Sequence, residues 1–200
     1  MRASLSAGEW GSCLTRAPDI GSRRMIVLVP YDPAWPGAFA REAAGLTDSL
    51  GDVLLSVEHI GSTSIPGLAA KPVIDILAVV ERVDALDTRS TSFEALGYQV
   101  MGEFGIAGRR YFRKDDADGR RTHQVHAYSL GADEVTRHLN FRDYLRAHEA
   151  VAEGYLSLKK ALIDRCVDDM PCYSDGKTDF IRDIERQAVI WRRQMDDPAV

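Results

Sequence analysis

Residues 72–80 read Pro-Val-Ile-Asp-Ile-Leu-Ala-Val-Val, a β-branched run typical of a strand buried on both faces. Such a strand lies inside a sheet, with neighbouring strands beside it and helices covering it. Its one charged residue, Asp75, has Ile74 and Ile76 on the opposite pleat face. A carboxylate in a buried strand needs a partner, either a bound cation or a structural mate such as Lys71 or an arginine.

The flanking pattern supplies the rest of the sheet. Residues 25–30 and 53–60 are strand-like, and residues 109–114 and 123–130 are two more strands joined by the charged turn 115–119, which predicts a hairpin. Between the first two strands Asp32 and Pro33 open a helix whose apolar face is Trp35, Phe39, Ala43, Leu46 and Leu50, stopped by Gly51. Residues 82–96 suit a second helix, closed by Gly97. From Asp133 onward the pattern is helical. One stripe runs through Val151, Tyr155, Leu158 and Leu162; another runs through Phe180, Ile184, Ala188 and Trp191, after a cap at Ser174 or Asp175. The expectation is an α+β (mixed α/β) fold, with a mixed sheet flanked by helices and a helical C-terminal region.

Two hundred residues fit one domain, expected over 25–200, with 1–24 as a disordered segment or extension because nothing in it is periodic. A net charge of −5 argues against a general nucleic-acid or anionic-membrane binder, which needs a basic surface. No apolar run approaches the ~18–20 residues that span a bilayer. Cys13, Cys166 and Cys172 are odd in number and match no metal or redox spacing, so they read as free thiols, and the expected location is cytoplasmic. A homodimer is compatible with all of this.

The chemistry concentrates in residues 57–76. Gly61 and Ser62 end a strand with residues small enough for backbone amides to approach a ligand. A helical turn over 63–70 would aim further amides at the same point, an arrangement suited to phosphate. Glu58 and His59 alternate on the preceding strand, so one of them faces the site. His123 and His126 are three apart on a strand and point to opposite faces, so at most one belongs to the site. Arg109, Arg110, Arg113 and Lys114 interleave with Tyr111 and Phe112, and one face of that strand is placed to clamp phosphate.

The run His59-Ile60-Gly61-Ser62-Thr63 through Lys71-Pro72-Val73-Ile74-Asp75-Ile76 resembles the signature of the GrpB family, assigned to the nucleotidyltransferase superfamily. The resemblance continues through Tyr31-Asp32-Pro33, Arg110-Tyr111-Phe112, His123 to His126, residues 141–146, Tyr155, Lys159 and the Lys177 region. It implies a nucleotidyltransferase-like fold, with related domains fused to dephospho-coenzyme A kinase in some bacteria. The superfamily pattern sets Gly-Ser on a turn, two acids one residue apart on the next strand, and a third acid on a neighbouring strand. Gly61, Ser62 and Asp75 match, whereas Leu77 stands where the second acid belongs.

The resemblance and the residues together give a metal-dependent nucleotidyltransferase or nucleotide-handling enzyme acting on a small-molecule acceptor. The expected roles are Asp75 and His126 in catalysis; Gly61, Ser62, Thr63, Lys71 and Arg110 on phosphate; and Asp75, Glu58 and His126 on a divalent metal, Mg²⁺ or a transition metal. Leu77 supports the alternative, a non-catalytic module that binds a phosphorylated ligand or supports a partner protein.

Overall fold

A computed structural model describes residues 26–167 and 169–196. The expected extension over 1–24 lies outside them, as does Cys13. Five strands form one mixed sheet in the order β1-β2-β5-β4-β3: β1 (Leu54–Ile60), β2 (Ile74–Val80), β3 (Gln99–Val100), β4 (Arg110–Asp115) and β5 (Arg121–Ser129). β2 is the run that anchors the sequence reading, and it lies second from the edge. It pairs antiparallel with β1 and parallel with β5. The architecture is α+β, as the sequence implies.

Period-two alternation gives the sheet two different faces. On one, Ile74, Ile76, Ala78 and Val80 pack with Phe112, Val125 and Ala127 against α1 (Trp35–Leu50) and α2 (Ser90–Ala95). On the other, Ile60, Leu77, Val79 and Tyr128 pack under α3 (Asp133–Ala147). A second apolar cluster joins α3 to α4 (Glu149–Arg165) and α6 (Thr178–Asp196), with Tyr144, Ala152, Tyr155, Ile184 and Ala188 buried together. Both helical stripes read from the sequence are therefore packing faces.

Several boundaries differ from expectation. The strand over 25–30 reduces to a single bridge between Val29 and Ala70, because Pro30 has no N–H with which to continue a ladder. Asp32 caps a turn, its Oδ1 accepting from Ala34 N at 2.8 Å, and α1 begins only at Trp35. The helix expected over 82–96 splits into a 3₁₀ segment, Val83–Arg89, and the short α2. There Thr88 and Ser90 donate side-chain bonds to the carbonyls of Ala85 and Asp87, which compete with α-helical pairing. Ser174 and Asp175 do not cap α6; they end the short helix α5 (Met170–Asp175), whose cap is Asp169, accepting from Cys172 N at 2.9 Å. The free-thiol reading of Cys166 and Cys172 is also corrected. They form a disulfide, because the break between α4 and α5 brings their Cα atoms to 5.6 Å.

Leu77, where the superfamily pattern would set a second acid, is completely buried. Leu77→Ala should therefore cost about 2–5 kcal/mol in urea unfolding. A loss under about 1 kcal/mol would mean that this face of the sheet is not packed as described.

Candidate functional site

The site begins where β1 ends. Gly61 has φ +70°, and a 3₁₀ turn, Ser62–Ser64, follows in place of the helical turn expected over 63–70. Local bonds fix this turn. Ser64 Oγ donates to Gly61 O at 2.6 Å, Thr63 Oγ1 donates to Val73 O at 3.2 Å, and His59 Nε2 lies 3.0 Å from Thr63 Oγ1. Glycine is needed at 61 for two reasons. The positive φ disfavours a side chain, and a Cβ would fall 2.9 Å from Asp75 Cβ. The turn thus passes directly over the Asp75 carboxylate.

Sheet register then assembles the neighbours. Asp75 lies opposite Ile60 on β1 and Gln124 on β5, Leu77 opposite His126, and His126 opposite Tyr111 on β4. These side chains share one face. His126 Nε2 stands 3.9 Å from Asp75 Oδ1, the only ion-pair contact that Asp75 makes among the described residues. The expected structural mate, Lys71 or an arginine, is not within that distance. The buried Nδ1 of His126 has no hydrogen-bond partner.

A cleft of about 630 Å³ opens over this face, walled by Tyr155 and Lys159 of α4, by α5, and by Lys177. Three of the chain's five lysines, Lys71, Lys159 and Lys177, line it. Lys159 is 3% exposed, and its Nζ donates to Ala69 O at 2.6 Å and to Ser62 Oγ at 3.3 Å. The buried Tyr173 ring lies 4.4 Å from Lys177 Nζ and 5.4 Å from Lys71 Nζ. Burial pushes Lys159 down to about 8, with Lys177 and Lys71 adding repulsion. Burial likewise pushes Lys177 down to about 8, Lys71 adding to the shift and Asp75 opposing it. Lys71 is lowered by burial against the pull of Asp75. Glu185, the other carboxylate on the cleft wall, is bound by Arg137 at 2.6 Å. The floor is therefore electropositive around Asp75, and an anion entering it relieves lysine–lysine repulsion.

Of the residues expected at the site, Gly61, Ser62, Thr63, Lys71, Asp75 and His126 line this one cleft. Glu58 and Arg110 do not. Glu58 lies on the correct face, but one rung further along, opposite Leu77, where Arg142 Nη1 holds its carboxylate at 2.7 Å. Arg110 pairs in register with Ala127, which puts it on the opposite face, bound to Asp87 at 2.5 Å. The three-ligand metal set of Asp75, Glu58 and His126 is therefore not assembled, and no three His, Cys, Asp or Glu side chains converge among the described residues. His59 is buried and stacked on Phe39, 4.8 Å between centroids, and burial lowers it to about 4. His123 points to the α1 side, as strand alternation requires. Sequence reasoning gave Lys159, Lys177 and Tyr173 no role. Lys159 carried a readable signal, since it is four residues after Tyr155 and three before Leu162, a charge set on an apolar stripe.

The family model described as GrpB protein matches residues 25–187. The chain belongs to the GrpB family. The solved structure of GrpB from Enterococcus faecalis superposes with a TM-score of 0.78 at 45% identity, covering 83% of this chain and 99% of that one. UPF0157 protein YqkA from Bacillus subtilis is 41% identical over 171 residues, spanning 86% of this chain but only 49% of YqkA. A dephospho-CoA kinase from Mycolicibacterium paratuberculosis is 31% identical over 85% of this chain and 47% of its own length. The family region thus recurs both alone and within longer proteins. No helix among the described residues is long and apolar enough to cross a membrane.

With a folded value near 8 and an unfolded value near 10.5, Lys177 binds fewer protons folded than unfolded between those limits, so its contribution makes stability rise with pH across that window. Lys177→Met should flatten the rise measured by urea unfolding between about pH 8 and 9.5. Identical slopes in the two proteins would show that Lys177 is not desolvated.

Proposed function

We propose that the cleft binds a nucleoside triphosphate or a related phosphorylated small molecule, and that the protein transfers a nucleotidyl group from it to a small-molecule acceptor. The observation that carries this reading is the gathering of Lys71, Lys159 and Lys177 around the Gly61-Ser62 turn, with Asp75 and His126 beside them. Three ammonium groups in a partly dehydrated pocket attract polyphosphate more strongly than the same groups would in water. The likeness of Gly61, Ser62 and Asp75 to the nucleotidyltransferase pattern and the occurrence of the region in a dephospho-CoA kinase support a nucleotide ligand.

In this reading the acceptor hydroxyl oxygen attacks the α-phosphorus, the bond to the bridging oxygen breaks, and pyrophosphate leaves. The lysines carry the charge growing on that pyrophosphate. In this reading His126 Nε2, 3.9 Å from Asp75 Oδ1, would take the acceptor's proton. Asp75 would be the protein's donor to a divalent ion, Mg²⁺ or a transition metal, that arrives with its phosphates and water; no three-ligand site is assembled among the described residues. Such an ion, when bound, would polarise a phosphoryl oxygen.

The second reading is a non-catalytic module that binds a phosphorylated ligand or supports a partner protein. Leu77, buried where a second acid would stand, favours it. Calorimetric binding of ATP with and without Mg²⁺, followed by assay of released pyrophosphate over a panel of acceptors, separates the two. Asp75→Asn should leave thermal unfolding unchanged, weaken the Mg²⁺-dependent part of ATP binding at least about ten-fold, and abolish pyrophosphate release. A stable Asp75→Asn protein with unaltered Mg²⁺-dependent binding would remove Asp75 from the site. Tight binding in the wild type with no pyrophosphate from any acceptor would favour the module.

A further inference from the structure

Away from the lysines, Phe104, Tyr111 and Phe141 add aromatic rings to the cleft wall. The loop between β3 and β4 carries Phe104, which lines the cleft and remains 57% exposed while stacking on Tyr111 at 5.3 Å between centroids, 25° from parallel. Its φ of 44° is the only positive value at a non-glycine among the described residues. A bulky residue enters that conformation only when its surroundings impose it. Here Arg109, itself buried, donates to the carbonyls of Glu103 at 3.2 Å and Phe104 at 2.9 Å, and its guanidinium lies 4.9 Å from the Tyr111 ring. Gly108 N donates to Glu103 Oε1 at 2.7 Å. The loop is thus tied down with a large apolar ring held at the rim of a charged cleft.

The spacing matches one kind of ligand. Tyr111 stands opposite His126 on β5, and β5 is the strand beside Asp75 on β2, so about 10 Å, two strand spacings, separate the Tyr111 strand from the Asp75 strand. A sugar bearing a short phosphate chain bridges such a gap. We propose that Phe104, backed by Tyr111, is the stacking platform for the base of a nucleoside polyphosphate whose phosphates lie among Lys71, Lys159 and Lys177. This rests on the phosphate reading of the lysine pole and adds what occupies the other end. The platform offers a π-face to any base.

Titration of the full chain with ATP and with inorganic tripolyphosphate, both in Mg²⁺, tests the two ends separately. Wild type should bind ATP more tightly than tripolyphosphate. Phe104→Ala should weaken ATP about ten-fold or more while leaving tripolyphosphate unchanged, and Phe104→Trp should restore ATP binding. Because Phe104 is exposed, the unfolding temperature of both variants should match wild type. Unaltered ATP affinity in Phe104→Ala, or ATP no tighter than tripolyphosphate in wild type, overturns the platform. Equal weakening of both ligands also overturns it, since it would mean that Phe104 acts only by shaping the loop. Failure of wild type to bind either ligand overturns the phosphate reading itself, and the platform with it.

Discussion

The structure depends on one close approach, that of the backbone at Gly61 to the side chain of Asp75. β2 is otherwise apolar, and its carboxylate is accommodated because β1 ends at that rung and the chain turns over it instead of continuing the sheet. The same turn opens the cleft, brings Ser62 to Lys159, and leaves Asp75 part-exposed at its floor. A side chain at 61 would close the gap, and an apolar residue at 75 would remove the charge that opposes the lowering of Lys71 and Lys177. The fold and the candidate site therefore share a single constraint.

Three lysines make the cleft floor electropositive. Lys71, Lys159 and Lys177 come from the segment before β2, from α4 and from the break before α6, and each is lowered by burial while Lys71 and Lys177 reinforce the effect on their neighbours. A cluster of like charges at partial desolvation is an unfavourable arrangement for folding alone. Tyr155 and Tyr173 soften it through contacts with the ammonium groups, and a bound polyphosphate would complete it. The Cys166–Cys172 disulfide ties the end of α4 to α5, the helix that carries Tyr173, and so supports this wall of the cleft.

Features of the sequence that depend on local period were legible. Alternation in β2 and β5 places Asp75 and His126 on one face and His123 on the other, and 3.6-residue spacing marks the packing stripes of α4 and α6. Features decided by distant partners were not. Which face of β4 meets the cleft depends on how the sheet is covered, so Arg110 was expected at the site but turns to Asp87 instead. Glu58 has the correct parity, yet Arg142, 84 residues later in the chain, removes it. Lys177 enters through the break between α5 and α6, which no periodicity reveals, and the same kind of break hid the pairing of Cys166 with Cys172.

If the phosphates of a nucleotide lie among the cleft lysines, the chain carries its own controls. Lys160 is exposed on α4, and Lys114, bound to Glu42 at 2.7 Å, lies on the other side of the sheet. Acetylation with and without ATP, mapped by peptide mass spectrometry, reads each lysine separately. ATP should protect Lys71 and Lys177 while Lys114 and Lys160 react as before. Uniform reactivity at saturating ATP, or protection confined to Lys114 or Lys160, would contradict that placement of the phosphates.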